Sequence, residues 1–462
     1  MQETGNPVID APAAHGDGTG ANDNPSSEQT TVAEAGTITA PTGLNPSNAN
    51  AEKQEEMLPE VIWEKTAPPA QQTHQLCSVL AATGQLYATP EGEVLVLEPG
   101  RPPRRIADVT DFEAFIRVHL RVTVLNKGKA SSNSIPDKDL KVLLRSPALQ
   151  RHLPMVDRVT DTATYTSDWL LTRPGYNAGP EGDRIFYTGS EVEPKKEPVL
   201  IRKFLGAMHF KSDADRTNAL ALALTVLLRF MWRGKKPFGA VTANKSHAGK
   251  DTVVDFAAGP VRRVEISHHY RDWALQNEAV SALADPNVGL LTIGNIRSAS
   301  GVIESAFIER IVTSPKALMQ SSKRSGDGYE RDGDFVVAAT ANMGRFSPDL
   351  ANRSLPISLE QIGDISQRKS DIGDPRNEFL PAHRAEIEAE LCGLVENWKT
   401  EGRHPDGEVR HPMKEWAQTV GGILNANGFE DFLANWSLQR SVNDSTREAL
   451  ALIAHASPSN QW

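Results

Sequence analysis

The sequence predicts an α/β protein built on a parallel-sheet core, with a small α/β domain before the core and a helical region after it. Three observations predict it. Between about 196 and 365, apolar runs of strand length alternate with segments of helical period, the pattern of parallel strands joined by helices. Within that stretch the apolar strand Phe238–Ala243 runs straight into a loop containing Gly249-Lys250 and then a helix. After about 366 only helical patterns remain, at 381–398, 412–426, 429–436 and 445–455.

In chain order, residues 1–58 are rich in Gly, Pro, Asn, Ser, Thr and Glu and hold no aromatic residue. Residues 1–60 carry ten Asp or Glu against the single Lys53, which accounts for nine of the net charge of -10. A segment so poor in apolar side chains cannot offset its ordering entropy, so a disordered acidic tail is expected. Residues 59–195 read as a small α/β domain of open role. Apolar runs at 86–88 and 94–97 flank a Pro90-Glu91-Gly92 turn, a hairpin pattern, and Phe112, Phe115 and Ile116 recur at helical spacing within 111–120.

The core, 196–365, opens with a long helix at 213–232, then the strand Phe238–Ala243 and a helix at Lys250–Ala258 ended by Gly259-Pro260. A short strand at 261–266 comes next, then a helix N-capped by Asp272 that runs to Asp285-Pro286. A buried strand at 288–293, a helix at 302–313 stopped before Pro315, and a strand at 334–340 complete the core, and residues 366–462 form the helical remainder.

A chain of 462 residues exceeds one typical core and implies more than one folded unit. At 39% hydrophobic and 23% charged, the composition is that of an ordinary globular protein. Outside the tail, 48 basic residues face 49 acidic ones, so the acidic total does not exclude nucleic-acid binding. Cys77 and Cys392 lie far apart in no metal-ligand spacing, which argues against a disulfide framework and fits a reducing, cytoplasmic setting. The N-terminus lacks the charged and apolar regions of a secretory signal. The most apolar stretch, 219–232, contains Arg229 and falls short of the ~20 residues needed to cross a bilayer; it reads as a buried helix, and no membrane role is expected.

The chemistry concentrates at Asn244, Lys245, Ser246, His247, Ala248, Gly249, Lys250, Asp251 and Thr252. A phosphate-binding loop needs a strand to launch it, backbone N–H groups that converge, and the N-terminus of a following helix, which supplies unpaired donors and about half a positive charge. Gly249 permits close backbone approach and Lys250 would reach the terminal phosphates of ATP. Two positions depart from the usual pattern. Asn244 stands where a first glycine is usual, and Asn tolerates left-handed backbone better than most residues. Asp251 follows the lysine, and Thr252 comes one place later; either could contact Mg²⁺, and the Asp251 carboxylate repels phosphate unless the cation intervenes or the side chain points away. The plainer reading is an ordinary strand-to-helix loop that contains Gly-Lys.

Further along, Asn342 ends a strand and is suited to orient an attacking water, while Arg353 lies between Ser347-Pro348-Asp349 and the apolar 355–359 run. An arginine there could reach a nucleotide held by an adjacent subunit, or it could simply pair with Asp349 four residues earlier. The strand at 288–293 ends at Gly294-Asn295 with no carboxylate. Glu265 is one candidate replacement, against the plainer reading of a surface strand residue, and Asp251 is another. Lys323 and Arg324, beside a Gly-rich turn, could track phosphates of single- or double-stranded DNA without reading sequence, or could belong to a solvated turn. The cluster Arg233, Lys235, Lys236 reads as a solvated loop. The twelve histidines show no zinc spacing, and no dinucleotide fingerprint is present.

Over roughly residues 75–455 the chain resembles the AAA+ P-loop ATPases related to superfamily-three and MCM-like helicases of prophages, plasmids and integrative elements. The resemblance is carried by residues 244–252, Glu309 to Ser314, Ala339 to Asn342, 349–357, and the C-terminal run from Trp416 to Leu424 followed by Gly428 to Asn435. It implies a P-loop AAA+ core, ATP and Mg²⁺ as cofactors, and a homo-oligomeric ring acting as a DNA helicase-like motor or loader in replication, with a primase or other replication proteins as partners. Asn342 would act on the water, Arg353 on the neighbour's nucleotide, and a hairpin bearing Lys323 and Arg324 on DNA. Many relatives have Asp-Asn where this chain has Gly294-Asn295. That departure favours a rival, a hydrolysis-deficient nucleotide-binding scaffold that recruits replication proteins; a protein-remodelling ATPase is a further one.

Overall fold

The computed structural model describes residues 58–67, 69–269, 271–296, 302–320, 328–342, 344–363 and 370–436, all within a compact unit that begins at Leu58. The expected tail up to residue 57, the helix expected at 445–455, and Lys323 and Arg324 lie outside the described residues.

The first region runs β1 (Glu60–Glu64), α1 (Pro69–Ala82), β2 (Leu86–Ala88), β3 (Val94–Val96), β4 (Arg104–Arg105), α2 (Val109–His119), β5 (Arg121–Asn126), β6 (Lys129–Ser132), α3 (Asp137–Leu144), α4 (Pro147–His152), β7 (Arg158–Thr160), β8 (Gly175–Asn177) and β9 (Ile185–Tyr187). Its strands form three small sheets, β1-β5-β6, β2-β3-β4 and β7-β9-β8. The expected hairpin is present, with Leu86 opposite Val96 and Ala88 opposite Val94. Asp108 starts α2 by accepting from the N–H groups of Thr110 and Asp111, and the helix buries Phe112, Phe115 and Ile116 as its spacing requires.

The second region runs α5 (Val199–Ala207), α6 (Asp213–Leu227), β10 (Phe238–Ala243), α7 (Lys250–Ala258), β11 (Arg262–Ser267), α8 (Asp272–Leu283), β12 (Val288–Ile296), β13 (Val302–Ile303), α9 (Ala306–Thr313), β14 (Lys316–Gln320), β15 (Gly328–Asp332), β16 (Val336–Asn342), β17 (Arg345–Phe346), α10 (Pro348–Asn352) and β18 (Ser354–Leu359). A π-helical turn at Pro375–Phe379 leads into α11 (Leu380–Thr400), and α12 (Lys414–Ala426) follows. The protein is thus a mixed α/β molecule centred on a five-stranded sheet of order β11-β12-β16-β10-β18, parallel throughout.

Both faces of this sheet are covered, so its strands read as nearly continuous apolar runs. Alternate side chains divide between two cores: Val241, Ala243, Leu290 and Ile357 face α6, α7, α11 and α12, while Phe238, Ala240, Leu291 and Ile293 face α8, α9 and α10. Helix α6 is apolar on every side and is buried from Thr217 to Leu227, as such a helix must be. It approaches β10 so closely that a Cβ at Gly239 would lie 2.9 Å from Leu222 Cδ2.

Several local expectations change. Asp272 does not cap its own helix; Arg271 occupies that position, and the Asp272 carboxylate instead accepts from Ser305 Oγ (2.7 Å) and the Phe307 N–H (3.2 Å) at the start of α9. The helix expected from 302 starts at 306, because Val302–Ile303 pairs with β17 and Ser305 supplies the cap. Residues 429–435 do not form the expected helix. Asp431 and Leu433 take φ of 62° and 59°, and the segment is pinned by side chains: Asn218 Nδ2 donates to the Pro356 carbonyl (2.8 Å), Asn218 Oδ1 accepts from the Leu433 N–H (3.0 Å), and Asn435 Nδ2 donates to Asp215 Oδ1 (2.7 Å). Of the basic cluster before β10, Lys235 is exposed and Arg233 half-buried, but Lys236 does not belong to a solvated loop. Lys236 is 4% exposed, and its ammonium donates to the carbonyls of Arg229 (2.9 Å), Trp232 (2.8 Å) and Gly333. No described helix is long and apolar enough to cross a membrane.

Replacing Asn218 by Ala leaves buried backbone groups of Pro356 and Leu433 without partners, and should cost about 2–4 kcal/mol, measured as a lower denaturant midpoint at constant m-value. His411 supplies a pH signature. Burial against Trp416 and Trp436 pushes its imidazole down to about 4, against an opposing bond to the Ser354 backbone. The unfolded chain takes up this proton near pH 6.5 and the folded one only near 4, so stability should fall by roughly 3 kcal/mol as pH drops through that window. A His411→Phe variant should flatten that part of the profile of Tm against pH.

Candidate functional site

Strand β10 sits between β16 and β18, both of which come later in the chain. In open parallel sheets the crevice beyond the carboxyl ends of such strands is where ligands bind. The loop 244–249 leaves β10 at that end. Its first half is tied to the chain after β18: the Asn244 N–H donates to the Leu359 carbonyl (3.2 Å), Asn244 Oδ1 accepts from the Gln361 N–H (2.9 Å), and Lys245 Nζ donates to the Gly363 carbonyl (3.0 Å). The left-handed backbone expected at Asn244 falls instead on His247 (φ 61°) and Gly249 (φ 97°). Ser246 and His247 are exposed, and Ala248 between the two left-handed residues is buried. Gly249 is the N-cap of α7 and offers no side-chain acceptor, so the helix amides at this end have no cap bond from it. Concave turns of this kind, opening a helix, favour anions.

Lys250 is 7% exposed, and burial lowers its pKa, with Asp251 opposing. Its ammonium donates to Asn342 Oδ1 at 2.5 Å, and Asn342 Nδ2 reaches Ser246 Oγ at 3.3 Å. The register of β10 and β16, which sets Ala243 opposite Asn342, makes this meeting possible. Thr252 is buried in the first turn of α7. Asp251 turns toward two arginines, Arg263 (3.9 Å) and Arg376 (3.8 Å). Arg263 gathers several groups: it donates to Thr292 Oγ1 (3.0 Å) and Glu265 Oε2 (2.7 Å) and pairs with Asp255, which also meets Arg376 Nε at 2.7 Å. Glu265 was named from the sequence as a candidate on a short strand, but its partner Arg263 was not. Nor was the role of Arg376, 121 residues from Asp255.

The strand expected at 288–293 extends through Ile296, but its register against β16 slips between Ile293 and Ile296. Asn295 there has φ 51°, and its N–H donates to Thr340 Oγ1 at 3.0 Å. Among the described residues no group of three or more His, Cys, Asp or Glu could by itself hold a metal ion. Arg353 lies at the other end of the sheet, where its carbonyl accepts from the Phe238 N–H at 3.1 Å. The length of β10 separates it from the loop, about 16 Å at ~3.3 Å per residue. Its guanidinium donates to the Asp349 backbone carbonyl (3.1 Å), not the carboxylate, and lies 3.7 Å from Glu309. Strands β14 and β15 form an antiparallel hairpin ahead of β16, with Lys316 opposite Asp332.

No protein-family model matches the chain, and no curated protein matches it. Among solved structures it is similar to apo forms of the NrS-1 C-terminal region, at 11% identity and TM-scores of 0.41 to 0.43. These alignments cover 76–81% of this chain and 74–75% of those chains.

Gly249→Ala would force a side chain into the left-handed region, and should lower stability by about 1–2 kcal/mol, read from chemical denaturation.

Proposed function

We propose that the chain is a P-loop ATPase of the AAA+ type that binds ATP with Mg²⁺ at residues 244–252 and works as a ring-forming DNA motor or loader in replication of a mobile genetic element. One observation carries the reading: the buried Lys250 ammonium meets Asn342 Oδ1 at the carboxyl end of two adjacent parallel strands, beside a helix N-terminus opened by a left-handed glycine. A lysine, a polar strand-end residue and open amides then face one crevice, as a nucleoside triphosphate requires.

The residues fit such a ligand. Lys250 would exchange its bond to Asn342 for phosphate oxygens, and Asn342 would then be free to orient a water. Asp251 is drawn toward Arg263 and Arg376, which relieves its repulsion of phosphate. Thr252 would contribute its hydroxyl to the cation. When bound, Mg²⁺ neutralises charge that develops on the phosphates. Arg353 is too far from the loop of its own chain, so it would serve a nucleotide held by a neighbouring subunit. Lys323 and Arg324, which fall between β14 and β15 in the sequence, would contact DNA. Residues 59–195 and 366–462 would flank the ATPase core at 196–365.

Gly294 favours a second reading, a scaffold that binds ATP without turning it over and recruits a primase or other replication proteins. ATP hydrolysis with and without single-stranded DNA separates the two. DNA-stimulated turnover that disappears in Lys250→Ala supports the motor; tight binding with no turnover supports the scaffold. Arg353→Ala should keep nucleotide binding but lower turnover on the order of 10³-fold.

A further inference from the structure

A carboxylate at the end of β12 is the group this site lacks, and its absence has a structural counterpart one strand away. Residues 263, 265 and 267 of β11 lie opposite 290, 292 and 294 of β12. Leu290 faces the core that contains α7, so by strand alternation Thr292, Gly294, Arg263 and Glu265 face that side as well. Glu265 leans across to β12. A Cβ built on Gly294 would collide with Glu265 Oε1, so the carboxylate fills the space that a side chain at 294 would take. The glycine and the glutamate are therefore complementary: a larger residue at 294 would require the carboxylate to shift from this position.

Glu265 is also held in place. Its Oε2 accepts from Arg263 at 2.7 Å. The same guanidinium is 12% exposed and is fixed by Thr292 of β12 and by Asp255 of α7, so it ties the two strands to the helix that carries Lys250 and Thr252. Oε2 is thereby committed to Arg263, while Oε1 is the atom over Gly294 and has no hydrogen-bond partner among the described residues. The slipped register and left-handed Asn295 sit immediately after it. Bulges of this kind end strand pairing and re-aim side chains beside functional sites.

We infer that Glu265 supplies, from the edge strand, the carboxylate that orients the water ligands of the cation bound with the nucleotide. The inference rests on the ATP-binding reading of the 244–252 loop. Glu265 acts as a hydrogen-bond acceptor and no proton transfer is asked of it. Carboxylates that orient ligands around a metal in this way commonly change its affinity by about 10–100-fold.

The test uses the full chain with ATPγS, measuring nucleotide affinity in EDTA and Mn²⁺ binding to the nucleotide complex by EPR, with ATP turnover alongside. Glu265→Ala should leave affinity in EDTA unchanged, weaken Mn²⁺ tenfold or more, and depress turnover. The double variant Glu265→Ala with Gly294→Asp, which moves the carboxylate to the neighbouring strand where room has been made, should regain Mn²⁺ affinity. Glu265→Gln, which keeps an acceptor for Arg263, should resemble Glu265→Ala and so separate the charge from the packing. Wild-type Mn²⁺ affinity in Glu265→Ala, or no recovery in the double variant, overturns this inference alone. Failure of the unaltered chain to bind ATPγS in a Lys250-dependent way overturns the reading of the loop and this inference with it.

Discussion

The site depends on one pairing constraint: β10 must lie in parallel register between two strands that follow it at long sequence separation. That register sets Ala243 opposite both Asn342 and Leu359. It brings Lys250 to Asn342, 92 residues later, and lets Asn244 and Lys245 fasten to the chain beyond β18. A one-residue slip would turn every side chain of the strand to the other face and dissolve these meetings. The pairing is enforced from both sides, because the two faces of β10 enter different cores and Gly239 admits Leu222 of α6 against the strand.

Charges buried around this frame are handled in a common manner. Lys236 is held by three backbone carbonyls between the end of α6 and the base of the hairpin. Arg331 donates to the carbonyls of Leu283, Asp285, Pro286 and Val288 and pairs with Asp334, and so fixes the turn before β12. These cations satisfy carbonyls that a loop would otherwise leave unpaired, so they are structural, and for Lys236 this replaces the solvated-loop reading of the sequence. The arginines near the loop differ in what they engage. Arg263 and Arg376 engage carboxylates, and in doing so they settle where Asp251 and Glu265 point.

Much of the core was legible. The bounds of β10 and α7 follow directly from an apolar run, a Gly-Lys loop and a Gly-Pro stop, because local propensity and tertiary packing agree there. The misses share a cause. At 302–305 and 429–436 the apolar spacing continues a helical phase, yet strand pairing and side-chain hydrogen bonds offer the backbone better partners than a helix would. Asp272 shows the same at the level of a single residue, since its carboxylate serves the next helix in space and not its own.

The sequence by itself determined the α/β alternation, the strand-loop-helix unit around Lys250, the Asn at the end of a later strand and the absence of a carboxylate at Gly294-Asn295. Each of these is a local pattern or a residue's identity. The tertiary structure decided which of them meet. It placed Asn342 on Lys250, moved Arg353 to the far end of the sheet from the loop, and laid the Glu265 carboxylate over the glycine of the adjoining strand. These outcomes hang on strand order and register, which are set by long-range packing of two faces at once and leave no trace in the spacing of residues along the chain.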